Sequence, residues 1–328
     1  MRPFRAMLNG HKFVEVSDVV RVFATPEGEV RALDGVSFDV QQGEFLSIVG
    51  PSGCGKSTLA MLIAGLMRPS AGLVAVGGRT VDRPQTSLGI VFQNPVLLAW
   101  RSALDNVLLQ VEMRGLDVRQ YRHSAMELLA SVGLEGFEKR LPHELSGGMK
   151  QRVAICRALI HDPPLLLMDE PFGALDALTR DQMTLDIQGI CARGSKTVLF
   201  ITHSITEAVF LSDRIIVMTP RPGRIDGIID VEMPRPRRLA VREGPAFAAY
   251  TRQIRDRFMA RGVLRDIEDP SPLAPLGGFP SPLASPRGCG SPPAAPLGGF
   301  PSPLASPRGC GSPLTPPSPP GGEGAAGA

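Results

Sequence analysis

Three runs of the chain are apolar without interruption: Leu165–Met168 (LLLM), Val198–Ile201 (VLFI) and Ile215–Met218 (IIVM). Runs apolar on both faces suit the interior of a parallel sheet covered by helices, where neither face meets water. Val36–Val40 (VSFDV) and Phe45–Val49 (FLSIV) read as short strands, and Leu88–Gln93 (LGIVFQ) as another apolar run. Between them, Thr58–Met67 has the length and spacing of a helix. Leu97–Leu134 reads as mostly helical, most clearly over Ala125–Ser131, and Asp256–Leu264 reads as a last helix. Strands alternating with helices in this way predict an α/β fold.

The pattern stops near Asp269. Residues 270–328 hold 17 Pro and 12 Gly, and the 19 residues of 274–292 recur letter for letter at 295–313. Such a segment cannot bury enough apolar surface to offset its ordering entropy, so disorder is expected there. It reads either as a Pro-rich partner ligand or as a duplicated extension without a selected role.

Composition narrows the classes. The net charge of +3 over 328 residues is too balanced to predict nucleic-acid binding. The five Cys form no CxxC pair and no zinc spacing, which suits a reducing compartment. No run reaches the roughly 18 apolar residues of a membrane helix, and the first residues lack a signal-peptide core. A cytoplasmic location is expected, with any membrane role carried by a partner.

Chemistry concentrates in three places. Residues 50–58 read GPSGCGKST, between an apolar strand and a helix. Gly50, Gly53 and Gly55 let the backbone wrap around phosphate oxygens, with Pro51, Ser52, Cys54 and Thr58 completing the loop. Successive N–H groups and the helix N-terminus supply positive charge. Lys56 adds a full charge for the β- and γ-phosphates, and the Ser57 hydroxyl suits Mg²⁺. Cys54 reads as a spacer rather than a redox sensor. Further on, LLLMDE delivers two carboxylates at a strand's end: Asp169 to hold Mg²⁺ and Glu170 to orient or deprotonate a water. Between them, LSGGMKQR (145–152) places two Gly after a Ser at a helix start, a second anion site.

These motifs resemble those of the ATP-binding subunits of ABC transporters. GPSGCGKST looks like Walker A, LLLMDE like Walker B and LSGGMKQR like the signature motif. Gln93 in VFQNP sits at the Q-loop position, Ala174-Leu175-Asp176 looks like the D-loop, and His203 in ITHS looks like the switch histidine. The resemblance spans roughly 13–262. It implies a P-loop NTPase (RecA-like) core with an antiparallel β subdomain and an inserted helical subdomain at about 97–157. It also implies a composite site in which two copies sandwich two ATP. Walker A of one copy would face Ser146, Gly147 and Gly148 of the other, with Asp176 beside them. His203 would contact the γ-phosphate, and Gln93 would sense it near Mg²⁺. On the residues alone, His203 also reads as a capping or exposed histidine and Gln93 as a strand-end amide. Phe23 lies where the family places an adenine-stacking ring; a core Phe is the competing reading.

PFGALDALTR, THSITEAVFLSDRIIVM and PRPGRI look like the nitrate/sulfonate/taurine importer group. That implies separate permease subunits, a periplasmic or lipoprotein binding protein as an indirect partner, no nucleic acid, and a place on the cytoplasmic face of the inner membrane. Trp100, in the segment where the family's helical part meets its permease, reads as a docking anchor or as a core residue. Competing functions are a soluble ABC ATPase acting on nucleic acid or ribosomes, and the ATPase of an exporter. Removing residues 270–328 is expected to leave ATP turnover and melting temperature nearly unchanged. A large drop in either, measured on the truncated chain, would show that the segment docks.

Overall fold

A computed structural model describes residues 12–264 apart from 27, 174 and 195. The repeat segment 270–328 and Ala174 of the expected D-loop lie outside the described residues. The chain begins with β1 (Lys12–Thr25) and β2 (Gly28–Gln41), followed by β3 (Phe45–Val49) and α1 (Lys56–Ile63). Then come β4 (Ala71–Val76), β5 (Arg79–Thr80) and β6 (Gly89–Val91). The helices α2 (Ala103–Met113), α3 (Val118–Ser131) and α4 (Gly147–Leu159) lead to β7 (Leu165–Asp169) and α5 (Ala177–Gly194). The last elements are β8 (Thr197–Thr202), α6 (Ile205–Leu211), β9 (Arg214–Met218), β10 (Ile225–Asp230) and α7 (Pro245–Ala260).

Among the described residues ten strands make two sheets. One is antiparallel, in the order β2-β1-β4-β5; the other runs β10-β9-β3-β8-β7-β6. In the second sheet β9, β3, β8, β7 and β6 are mutually parallel, and β10 closes the edge antiparallel to β9. The apolar runs are its interior: every residue of β3, β8 and β9 is buried. On one face, Phe45, Phe172 and Phe200 meet with ring centroids 5.9 and 5.5 Å from Phe200. They pack with Val209, Phe210, Ile254 and Phe258 from the later helices. The other face joins α1 to the antiparallel sheet through Val14, Val36, Leu46, Leu59 and Ile63. The helices α2, α3 and α4 enclose a third core around Val107, Leu129 and Cys156.

Boundaries differ from expectation where turns intervene. The helix after the phosphate loop starts at Lys56 and ends by Ala64, because Gly65 turns left-handed with φ 72°. The last helix begins at Pro245, a favoured first-turn residue, not at Asp256. Trp100 is 76% exposed, which removes the core reading for it.

Phe200→Ala should destabilise the fold by about 3–5 kcal/mol, the usual cost of deleting a fully buried ring. Urea unfolding reads it directly, and a loss of only a few tenths would contradict the packing described.

Candidate active site

Register brings the chemistry together. Val49 pairs with Thr202 and with Val217, Ile201 pairs with Asp169, and Met168 pairs with Val91. The loops leaving β3, β6, β7, β8 and β9 therefore emerge along one carboxyl edge of the sheet, where ligands bind in open α/β folds. A cleft of about 340 Å³ opens there, lined by Phe23, Val30, Ala32, Ser52, Gly53, Gly55, Lys56, Ser57, Thr58, Gln93, Glu170 and Arg221.

The phosphate loop holds its shape by local constraints. Gly55 adopts φ 96°, and a Cβ there would stand 2.6 Å from Leu33 Cδ2 and 2.9 Å from the Ala32 carbonyl. Only glycine combines that backbone with that clearance. As the cap of α1 it offers no side chain, so the helix's first N–H groups stay free to face a ligand. Lys56, 4% exposed, donates to the Gly50 and Pro51 carbonyls at 2.9 and 3.0 Å. Its ammonium also lies 3.7 Å from Glu170. Cys54 is buried behind the loop, and burial pushes its thiol pKa up, which fits the spacer reading.

Glu170 sits at the centre. Its backbone is left-handed, φ 47°, and its N–H donates to the Ile201 carbonyl at 2.8 Å, which pins the turn to β8. Its Oε2 accepts from Gln93 Nε2 at 3.3 Å and meets His203 Nδ1 at 3.2 Å. Gln93, Lys56 and His203 thus converge on the Glu170 carboxylate. A carboxylate so held can orient a water and accept its proton.

Asp169 differs. Burial raises its carboxyl above the ordinary value; the Ser57 hydroxyl bond and Lys56 pull it back, while the charge of Glu170 pushes it up. Its buried Oδ1 has no hydrogen-bond partner. An orphaned carboxylate oxygen beside a serine hydroxyl is the donor chemistry that Mg²⁺ takes, with phosphates and water completing its shell. Among the described residues no larger His, Cys, Asp or Glu cluster offers a metal site.

Not all of the expected residues meet. Ser146 is exposed and caps α4, accepting from Met149 N at 3.2 Å. Neither it nor Gly147 and Gly148 lines the cleft of its own chain. Asp176 is exposed, and its carboxylate accepts from Thr179 N at 3.0 Å, which lowers its pKa. Phe23 lines the cleft beneath the Arg21 guanidinium, 4.7 Å from the ring centroid.

Sequence reading missed a buried support for His203. Thr202 Oγ1 donates to Glu207 Oε2 at 2.6 Å and accepts from Ser204 N at 3.0 Å. Arg180 lies 3.6 Å from Glu207 and donates to the Leu175 carbonyl at 2.9 Å. The loop before α5 and the turn bearing His203 therefore share one polar network. Its sequence signal, a lone Glu four residues after the histidine, carries no spacing that marks it.

The ABC transporter family profile matches residues 33–173. An uncharacterized ABC transporter ATP-binding protein of Methanocaldococcus jannaschii is 46% identical over 224 residues, 68% of this chain and 84% of that protein. The chain belongs to the ABC transporter ATP-binding proteins. A taurine import ATP-binding protein of Rhizobium johnstonii is 47% identical over 247 residues, 73% of this chain and 91% of that one. Among solved structures, a dimeric bacterial ABC transporter cassette superposes with TM-score 0.62 at 32% identity, over 67% of this chain and 99% of that one. The same cassette in a post-hydrolysis state with ADP and phosphate gives 0.60 at 31% identity. As an ABC ATPase of the nitrate/sulfonate/taurine group, the chain binds ATP on the fold that its sequence led us to expect. Among the described residues no helix is long and apolar enough to cross a membrane.

The raised pKa of Asp169 has a signed consequence. A carboxyl whose folded pKa exceeds its unfolded value costs stability as pH rises between the two, and the full cost is present near neutrality. Asp169→Asn should therefore raise the melting temperature of the nucleotide-free protein near neutral pH. It should also lose the extra stabilisation that Mg²⁺ adds to ATP. Thermal melts with ATP, with and without Mg²⁺, read both; a variant that keeps the Mg²⁺ increment contradicts the assignment.

Proposed function

We propose that this ABC ATPase energises an importer. Two copies close around two ATP at the cytoplasmic face of the membrane and drive uptake of a small anion, such as nitrate, a sulfonate or taurine, through a separate permease. The observation that carries this reading is the division of the motifs. The phosphate loop and Glu170 line one cleft, while the capped helix start at Ser146 stands exposed outside it. A helix N-terminus with Gly147 exposed and Gly148 half-buried behind Ser146 suits an anion, and a second copy's nucleotide is one of matching charge.

In this reading Phe23 stacks on adenine, and the loop from Gly50 to Thr58 wraps the phosphates. Lys56 exchanges its two carbonyl partners for β- and γ-oxygens. Ser57, Gln93 and Asp169 would hold Mg²⁺, which when bound neutralises charge on those oxygens. Glu170 takes the proton of the attacking water. His203 keeps Glu170 oriented and donates toward the γ-phosphate. Ser146, Gly147 and Gly148 of the second copy close the far side with fixed donors, and its Asp176 lies beside them. Loss of the γ-phosphate removes their shared ligand, and the pair reopens.

Exposed Phe92, Val96 and Trp100 support a permease contact on the helical side, since aromatic anchors concentrate at interfaces. The taurine import relatives support the substrate class by likeness. A binding protein on the far side of the membrane completes the importer. Glu170→Gln should keep ATP binding, stop turnover and accumulate a two-chain species at saturating ATP. Light scattering that returns a single-chain mass under those conditions would sink the paired mechanism.

A further inference from the structure

The loop after β9, which carries the PRPGRI stretch, brings into the cleft a side chain that none of the nucleotide motifs includes. Thr219–Arg224 is pinned on three sides. Gly223 N donates to the Ala32 carbonyl at 2.9 Å, and Asp34 N donates to the Gly223 carbonyl at 3.0 Å. Thr219 N donates to the Arg224 carbonyl at 2.9 Å, and Arg224 Nε pairs with Asp34 Oδ2 at 2.8 Å. Gly223 is buried against the phosphate loop so closely that a Cβ would overlap the Cys54 carbonyl oxygen. A loop so braced presents its tip at little further entropy cost.

That tip is Arg221. It lines the same cleft as Lys56 and Phe23. Its Nε reaches the Gly53 carbonyl at 3.4 Å, a long bond, and among the described residues no carboxylate pairs with it. The other cations braced around it behave differently: Arg224 holds Asp34, and Lys56 holds two carbonyls and faces Glu170. Arg221 therefore keeps most of its planar fork of donors free at the rim of a phosphate-wrapping loop. A guanidinium so placed meets phosphate oxygens with two parallel N–H bonds, which an ammonium cannot do.

We propose that Arg221 is a second cationic contact for the nucleotide's phosphate chain, beside Lys56 and presented by the loop after β9. The inference rests on the cleft being the nucleotide site. Its contribution is to affinity, since it reaches the chain from the rim rather than from the reacting end where Glu170 sits.

Calorimetric titration of the full chain with ATP and with ADP tests it, using Arg221→Ala, Arg221→Lys and Lys56→Ala. Arg221→Ala should weaken both nucleotides about tenfold, the scale of a charge-assisted bond. Arg221→Lys should recover part of that loss. The dependence of log Kd on log salt should be shallower in Arg221→Ala, because one screened charge contact is gone. An Arg221→Ala variant within twofold of the wild type overturns the proposal. So does a loss in Arg221→Ala that leaves the salt slope at its wild-type value, since that would trace to loop packing rather than charge. Wild-type protein that binds no ATP, or Lys56→Ala that binds as well as wild type, would overturn the nucleotide reading of the cleft and this contact with it.

Discussion

The active site depends on the hydrogen-bond register of five parallel strands. Parallel ladders fix which residues lie level across a sheet, and here Val49, Asp169, Thr202 and Val217 end close to one line. A slip of one residue in β7 would turn Asp169 and Glu170 to the opposite sides of their strand. The buried apolar faces guard against such a slip, because each strand would have to change its packing partners on both sides. The chemistry is therefore held in place by side chains such as Phe200 and Ile216 that touch no ligand.

The site also carries polar costs that a purely structural sheet would avoid. Asp169 is buried with one oxygen unpartnered, and Glu170 occupies a left-handed backbone that non-glycine residues rarely adopt. The Ile201 carbonyl and the phenylalanine cluster beneath supply the compensation. Strain and an orphaned carboxylate oxygen at the edge of a well-packed core are what a site built for a highly charged ligand looks like.

The interior strands were legible because burial on both faces leaves an unbroken apolar run, as in Val198–Ile201. The strands of the antiparallel sheet were harder. In β1 the buried set Val14, Val16 and Val19 loses its alternation at a register shift between Val16 and Val19. In β4 only Val74 and Val76 are buried, too few for a period. The last helix hides its start because its buried positions, Phe247, Ile254 and Phe258, are widely spaced. Motif residues of the phosphate loop stood out because their glycines, lysine and hydroxyls are contiguous. Arg221 and the Thr202–Glu207–Arg180 network gave no such signal, although the quoted stretches contain them, because folding rather than spacing along the chain brings each to its partners.

One helix belongs to two cores. Along α4, Ile155 and Ala158 pack with the sheet, while Val153 and Cys156 pack with α2 and α3. The same helix reaches out to the exposed apolar loop: Gln151 donates to the Phe92 carbonyl at 3.4 Å and Arg157 to the Val96 carbonyl at 2.6 Å. Its first turn is capped by Ser146. The helix is thus a crankshaft. A push from outside on the strip around Trp100 has a rigid rod to travel along, and the rod's tip is the glycine pair that the proposed pairing sets against a twin's fuel.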